Sequence, residues 1–460
     1  MNQFATEGQG SLLTKNAGVR RIYVERLFGQ YTYDLSDKDL PPNTATKVLL
    51  LYGDNGSGKT TILQLLFFLL SHVDRQSHKT NVTKIRFKKF AVELADGTNV
   101  VAERAQDKPG PYQLRVEREG VILAQAPYGL DEGPPANIGE MKPGDIVRHY
   151  EESAARDVEH GKLLQVLKDL HLDAIYVTDN RRVLTTIPGL RERESGHDVG
   201  VAMRAVRKGT DEGSNRGALP DAVRQISSWA TRQAFKGSAQ GEEDVNSAYA
   251  AIMKRLAYAP SYTTQVTDLQ GVIELIKEQG RRSPDFVRFG LIKPLKVDEI
   301  TEDLRAADPQ TRDTMLSVLE PYVTGLRARL DALDPIRIQL SAFVDAMNSF
   351  YRNKTVHLDV DHGLTISAAT GDKLSPSVLS SGEGQLLYLL ASTLVAKEQS
   401  RLFMIDEPEI SLNVKWQRQL LLSLLQLTAD SNIQFIFATH SIELLTPYSQ
   451  FVRDLNSPQQ

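Results

Sequence analysis

The sequence predicts an α/β fold: a mixed and largely parallel β-sheet with flanking helices, an antiparallel β-subdomain, and a helical insertion. Three observations predict it. Short continuous apolar runs at residues 48–52, 401–406 and 433–439 have the length and bounding residues of strands buried on both faces. Helical spacing between the last two gives the strand–helix–strand alternation of a parallel sheet. From residue 84 to 126 the apolar period is two, and Asp96-Gly97 and Glu119-Gly120 fall between alternating runs, as hairpin turns do.

Taken in order, residues 1–17 read as a polar tail with neither the charged start nor the apolar core of a secretory signal. Residues 19–35 alternate and are rich in β-branched and aromatic types, which predicts one or two strands around Gly29. Tyr31 or Tyr33 is placed to stack on a flat base. Residues 36–46, with Pro41-Pro42, form a turn into the strand at 48–52. Residues 128–145 are a Gly/Pro-rich loop, 146–171 have helical spacing, and 174–178 are another buried strand. Residues 179–242 are polar, and Arg181, Arg182, Arg191, Arg193, Arg204, Arg207 and Lys208 make part of the stretch basic. Such a run is a solvated insertion or a nucleic-acid contact surface. Helical patterns resume at 248–278 and 299–353, where Pro309, Pro321 and Pro335 are expected to interrupt them, leaving helices too short for a long coiled coil. A hairpin across Asp361-His362-Gly363 follows. The expected domains are the tail at 1–17, a first lobe at 18–180, the insertion at 181–350 and a second lobe at 351–460.

The chemistry starts after the strand at 48–52. Gly53-Asp54-Asn55-Gly56-Ser57-Gly58-Lys59-Thr60 fills the pattern G-x-x-x-x-G-K-[ST] at every fixed position, and an apolar helix follows. Glycines let successive N–H groups turn inward on a phosphate chain, and the helix adds its positive end. Lys59 then reaches the β- and γ-phosphates of a nucleotide, and the Thr60 hydroxyl ligates Mg²⁺, with Thr61 beside it in the first turn.

Three further motifs extend this site. The strand Leu402-Phe403-Met404-Ile405 ends in Asp406 and Glu407. A carboxylate there is placed to hold Mg²⁺, which fits Asp406, and Glu407 one step on is placed to polarise water as a general base. Glu409 to Asn413 lie just beyond. His440 follows the strand at 433–439, where an imidazole is placed to hydrogen-bond a γ-phosphate. Leu379-Ser380-Ser381-Gly382-Glu383-Gly384-Gln385 opens a helix, and serine, glycine and a helix N-terminus together make an anion site. One phosphate cradle already exists in the chain, so this second one points to another subunit's nucleotide.

In this order the motifs GDNGSGKT, LSSGEGQ, LFMIDEPEISLN and FATHS resemble those of the P-loop ABC-ATPase head, in the soluble branch of RecF-like, SMC-like and phage-defence ATPases. The resemblance covers about residues 18–180 and 350–445. It implies ATP and Mg²⁺ as cofactors and an ATP sandwich between subunits. Gly53, Asn55, Gly56, Ser57, Gly58, Lys59, Thr60, Thr61, Asp406, Glu407 and His440 of one copy would then face Ser380, Ser381, Gly382 and Glu383 of another. The family signature is usually LSGGQ, so Ser381 and Glu383 are departures. The strand at 174–178, with Asp179, Asn180 and Arg181 at its tip, takes the place of the family's Q-loop, for which no matching glutamine is identified. Long coiled-coil arms and a zinc hook are missing, and the chain has no cysteine at all. About twenty residues follow His440, too few for a fused nuclease domain.

A compact head of this kind is similar to the ATPase subunit of PARIS-type anti-phage systems. That similarity implies an oligomer holding a separately encoded Toprim-type nuclease until a phage trigger protein releases it. The alternative implied by the family is a RecF-like ATPase clamping DNA, for which the arginine-rich stretch is the support. A net charge of −4 gives no global pull toward nucleic acid or acidic lipid. No stretch approaches the ~20 apolar residues of a membrane span, so a cytoplasmic protein is expected.

Overall fold

The computed structural model describes residues 13–15, 18–36, 44–73, 78–129, 143–180, 183–186, 215–257, 269–397 and 401–456. The chain divides into two compact units, one comprising Met1–Asn215 with Ala396–Gln460 and the other Arg216–Val395. The sequence reading groups residues 351–395 with the second ATPase lobe, whereas in this division they belong with the helical unit.

In the first unit, β1 (Leu13–Lys15) pairs with β4 (Thr44–Thr46), so the predicted tail contains a short strand. Next come β2 (Val19–Leu27), β3 (Tyr31–Ser36) and the central strand β5 (Val48–Tyr52). Helix α1 (Lys59–Leu70) follows the phosphate-loop sequence, and α2 (His78–Val82) is a single turn. Then β6 (Lys89–Leu94), β7 (Thr98–Glu103), β8 (Tyr112–Arg118) and β9 (Val121–Tyr128) run antiparallel. With β2 and β3 they make a six-stranded sheet of order β3-β2-β6-β7-β8-β9. Glu119 and Gly120 both have positive φ, 51° and 79°, which matches the twist of the two strands they join. Helix α3 (Pro143–Asp169), β10 (Ala174–Val177) and β11 (Val183–Thr185) complete this half.

The second unit opens with α4 (Asn215–Ala257), then α5 (Leu269–Arg288), α6 (Val297–Ala306) and α7 (Pro309–Phe350). Val272, Ile273 and Ile276 of α5 pack with Leu304, Leu316 and Val323. The predicted breaks at Pro321 and Pro335 do not occur: α7 is one helix of 42 residues, about 63 Å at 1.5 Å per residue. An interior proline removes one backbone hydrogen bond and bends its turn without ending a helix whose other bonds and packing survive. Pro309 instead starts the helix, where its missing N–H costs nothing, behind Asp308, whose carboxylate accepts from Gln310 and Thr311 N–H at 3.1 and 3.2 Å. The hairpin β12 (Lys354–Asp359) and β13 (Gly363–Ala368) turns where predicted, and β14 (Lys373–Leu374) adds to it. Helix α8 (Ser381–Ala396) closes the unit.

The chain returns to the first unit with β15 (Leu402–Asp406), α9 (Val414–Leu427), β16 (Gln434–Thr439), α10 (Ile442–Leu445) and β17 (Val452–Asp454). Its second six-stranded sheet has the order β11-β10-β15-β16-β5-β17, parallel except for the edge strand β11. Leu49, Leu51, Leu402, Met404, Ile436 and Ala438 from one face of that sheet share a core with α1 and with Ile22, Val24, Val92 and Val100 of the antiparallel sheet. Helix α1 is therefore apolar nearly all round. Buried Gln434 joins the layers, its side chain bonding Val19 N and O and Thr46 O.

Candidate functional site

Parallel register decides where the chemistry collects. Asp406 pairs with Ala438, Ala438 with Leu51, and Thr439 with Tyr52. The ends of β5, β15 and β16 therefore open onto one edge, the usual place for a site in such a sheet.

The loop after β5 holds its shape by close approach. A Cβ on Gly53 would lie 2.7 Å from Ser57 Oγ, and Gly58, at φ 96°, has Leu27 against it at 2.6 Å from where its Cβ would be. Tyr33 donates its hydroxyl to Ser57 O at 2.9 Å, and Asn456 Oδ1 accepts from Asp54 N at 2.8 Å. Burial pushes the Tyr33 phenol up to about 12, so it remains a donor to the loop. Buried, already engaged through its hydroxyl and stacked on Tyr31 at 5.8 Å between ring centroids, Tyr33 does not offer the free face considered for base stacking. Asn55 and Gly56 are exposed at the loop tip, and Thr61 lies in the first turn of α1.

Lys59 is only 5% exposed. Its ammonium donates to Gly53 O at 2.7 Å and Asp54 O at 3.1 Å and lies 3.9 Å from Glu407 Oε1. Thr60 Oγ1 donates to Asp406 Oδ1 at 3.0 Å, and the Tyr176 hydroxyl to Asp406 Oδ2 at 3.3 Å. Asp406 is buried, which lifts its carboxyl pKa to about 6; Asp179 adds to the rise, while the Thr60 and Tyr176 bonds and Lys59 oppose it. A buried carboxylate beside a hydroxyl, both hard oxygen donors, fits Mg²⁺. The Ser57 hydroxyl, buried and without a hydrogen-bond partner among the described residues, fits a phosphate acceptor in the same cradle.

Glu407 and His440 meet directly: Nδ1 of His440 lies 2.5 Å from Glu407 Oε2. Burial raises the Glu407 carboxyl above the ordinary glutamate range, Glu409 adds to this, and His440 opposes it. Glu409 is the participant that sequence reasoning left unassigned. One acidic oxygen of each glutamate and a ring nitrogen of His440 converge within 4.8 Å. Tyr176 was also missed, because a tyrosine in an apolar strand carries no signal of its hydroxyl's partner.

Ser380, Ser381, Gly382 and Glu383 lie in the other unit, at the start of α8. Glu383 turns back to accept from Ser380 N at 2.8 Å and Ser380 Oγ at 2.9 Å, while Glu383 N donates to Ser380 Oγ at 3.4 Å. This is a capping box, and its S-x-x-E spacing is present in the sequence. Lys354 donates to both Glu383 oxygens at 2.7 and 2.9 Å. Glu383 thus has a local role in closing the helix end. The basic residues Arg181, Arg182, Arg191, Arg193, Arg204, Arg207 and Lys208 lie outside the described residues.

Residues 244–446 match the family model described as "AAA domain, putative AbiEii toxin, Type IV TA system", and residues 28–130 match a second model described as "AAA domain". No curated protein matches. Among solved structures the chain is similar to the Smc head domain with an extended coiled coil bound to the C-terminal domain of ScpA, derived from Pyrococcus furiosus; identity is 13%, TM-score 0.36, and coverage 94% of this chain and 91% of that one. It is also similar to an SmcHead bound to the C-winged helix domain of ScpA, at 9% identity and TM-score 0.34, covering 93% and 91% of the two chains. The parallel sheet, its phosphate loop and the two AAA matches describe a P-loop ATPase. No helix among the described residues is long and apolar enough to cross a membrane.

Proposed function

We propose that the chain hydrolyses ATP as an oligomeric, ABC-type switch ATPase that holds or releases a separate effector in anti-phage defence. The convergence of Lys59, Thr60, Asp406, Glu407 and His440 at one sheet edge carries the hydrolytic part of this reading. Lys59 binds the β- and γ-phosphates, and the loop N–H groups from Asn55 to Thr61 wrap them. Thr60 and Asp406 hold Mg²⁺, which when bound neutralises charge on the phosphates. Glu407 accepts a proton from the attacking water, and His440, against the same carboxylate, lies where a γ-phosphate can displace or recruit it. Burial and Glu409 raise the Glu407 carboxyl toward neutrality, close to where a general base works best.

The defence part is supported by the AbiEii-type description over residues 244–446 and by the motif resemblance. In this reading Ser380, Ser381, Gly382 and Glu383 meet the nucleotide of a second copy. The effector is a separately encoded Toprim-type nuclease, and a phage protein is the trigger.

The test has two parts. E407Q is expected to retain ATP binding and lose turnover by ~10²–10⁴-fold; full turnover would exclude Glu407 as the base. The wild-type chain is expected to co-purify with the product of its neighbouring gene and to free it on phage challenge. Instead, salt-dependent binding of duplex DNA that is lost on neutralising Arg191, Arg193, Arg204 and Arg207 would assign a RecF-like role.

A further inference from the structure

Glu409 stands two residues beyond Glu407, on a turn whose backbone is held in an uncommon conformation. Glu407 has φ 48° and Ser411 φ 67°, both in the left-handed region that non-glycine residues rarely occupy. Such a conformation persists where surrounding bonds over-determine it. Glu407 N donates to Ala438 O at 2.8 Å, Ile410 N to Glu407 O at 3.2 Å, and Leu412 N to Glu409 O at 2.9 Å.

Glu409 is 5% exposed, and its side chain reaches across to the end of β16. Its Oε1 accepts from Thr439 Oγ1 at 2.5 Å, His440 N at 2.9 Å and Ser441 N at 3.1 Å. The same oxygen lies 3.3 Å from His440 Nδ1. Thr439 Oγ1 in turn accepts from Ser441 N at 3.0 Å. Its other oxygen, Oε2, is buried and has no hydrogen-bond partner among the described residues. Burying a carboxylate this deeply, with one oxygen bare, is costly unless the other oxygen organises something. What it organises is the three-residue turn carrying His440.

We propose that Glu409 is a positioning residue for ATP hydrolysis: its carboxylate ties the turn after β16 to the turn after β15, so that His440 stays against Glu407. The proposal rests on the ATPase reading above. Beside its direct effect on the neighbouring Glu407 carboxyl, Glu409 acts through the backbone and ring of His440. It makes the two turns one unit, so a displacement of His440 by a γ-phosphate is felt at the base, and the reverse.

A mutant cycle between Glu409 and His440 tests this, with nucleotide affinity measured beside turnover. E409A is expected to lower kcat by about 10–100-fold, while the Kd for ATP changes by less than about threefold, because Lys59 and its loop are held by separate bonds. E409Q keeps an oxygen for the three donors and is expected to restore most of kcat. In an H440A background, E409A should cost little further activity; an equal loss there would show that Glu409 acts independently of His440 and would overturn the proposal. Parallel loss of ATP affinity and thermal stability in E409A, with no rescue by E409Q, would reduce Glu409 to a structural role and overturn it as well. If E409A does not fold, E409D, which withdraws the carboxylate by one methylene, should show the same kcat loss, and full activity in E409D would count against it. Failure of the ATPase reading is separately visible, as a wild-type chain without turnover or an E407Q variant at full rate.

Discussion

Asp406 carries a pH signature of its own. Its folded carboxyl holds a proton up to about pH 6, against 3.8 for the ordinary group. Between those values the folded Asp406 binds more protons than the unfolded one, so its contribution to stability is expected to fall as pH rises from about 4 through 6, while His78, held neutral by burial, contributes in the opposite sense. D406N, neutral throughout, should flatten that slope when denaturant midpoints are compared across the window; an unchanged slope would place the titration elsewhere. The residues with fixed motif positions were legible in the sequence, since glycine spacing, Lys59 and the carboxylates ending β15 are dictated by phosphate and metal chemistry. Glu409 and Tyr176 were not legible as site residues. Their roles depend on strands brought together across 230 residues for Tyr176 and Asp406, and on a turn 30 residues on for Glu409 and Thr439. Glu383 lay between: S-x-x-E declares a capping box, but the anion-site reading of the same residues claimed the serine first.

At the scale of elements, the strands matched their patterns because burial on one or both faces is written directly in the period. Among the long helices, α3 matched its spacing, but α7 did not break at its prolines as expected. Proline in a sequence signals a break, yet whether a helix ends there depends on the bonds and packing on either side, which the local pattern does not contain. Helix α7 makes this testable. Pro335 lies inside it and is exposed, so P335A restores a backbone hydrogen bond at little packing cost. It is expected to stabilise the helical unit by about 1–3 kcal/mol, seen as a higher unfolding midpoint. P309A, at the first helical position, should change stability by only about 0.5 kcal/mol or less. Equal effects from the two substitutions would mean that α7 does not run unbroken through residue 335 in solution.

For the whole molecule, the proposed half-sites make nucleotide occupancy an assembly signal. ATP is expected to shift E407Q to a larger species in light scattering, and K59A, lacking its phosphate contact, should stay at its nucleotide-free size. A K59A chain that assembles like E407Q would disconnect assembly from the loop. The sheet itself has a consequence for how the chain comes into being. Strand β5, which delivers the phosphate loop, lies between β16 and β17, and both neighbours are translated roughly 380 residues later, about 20–80 s at ~5–20 residues per second. Throughout that interval this apolar strand has both its final edges unsatisfied, a template for pairing with other chains. Newborn copies are thus most vulnerable to aggregation well before they can bind a nucleotide, and a ribosome stalled ahead of residue 434 leaves behind a chain with the loop sequence but without its sheet.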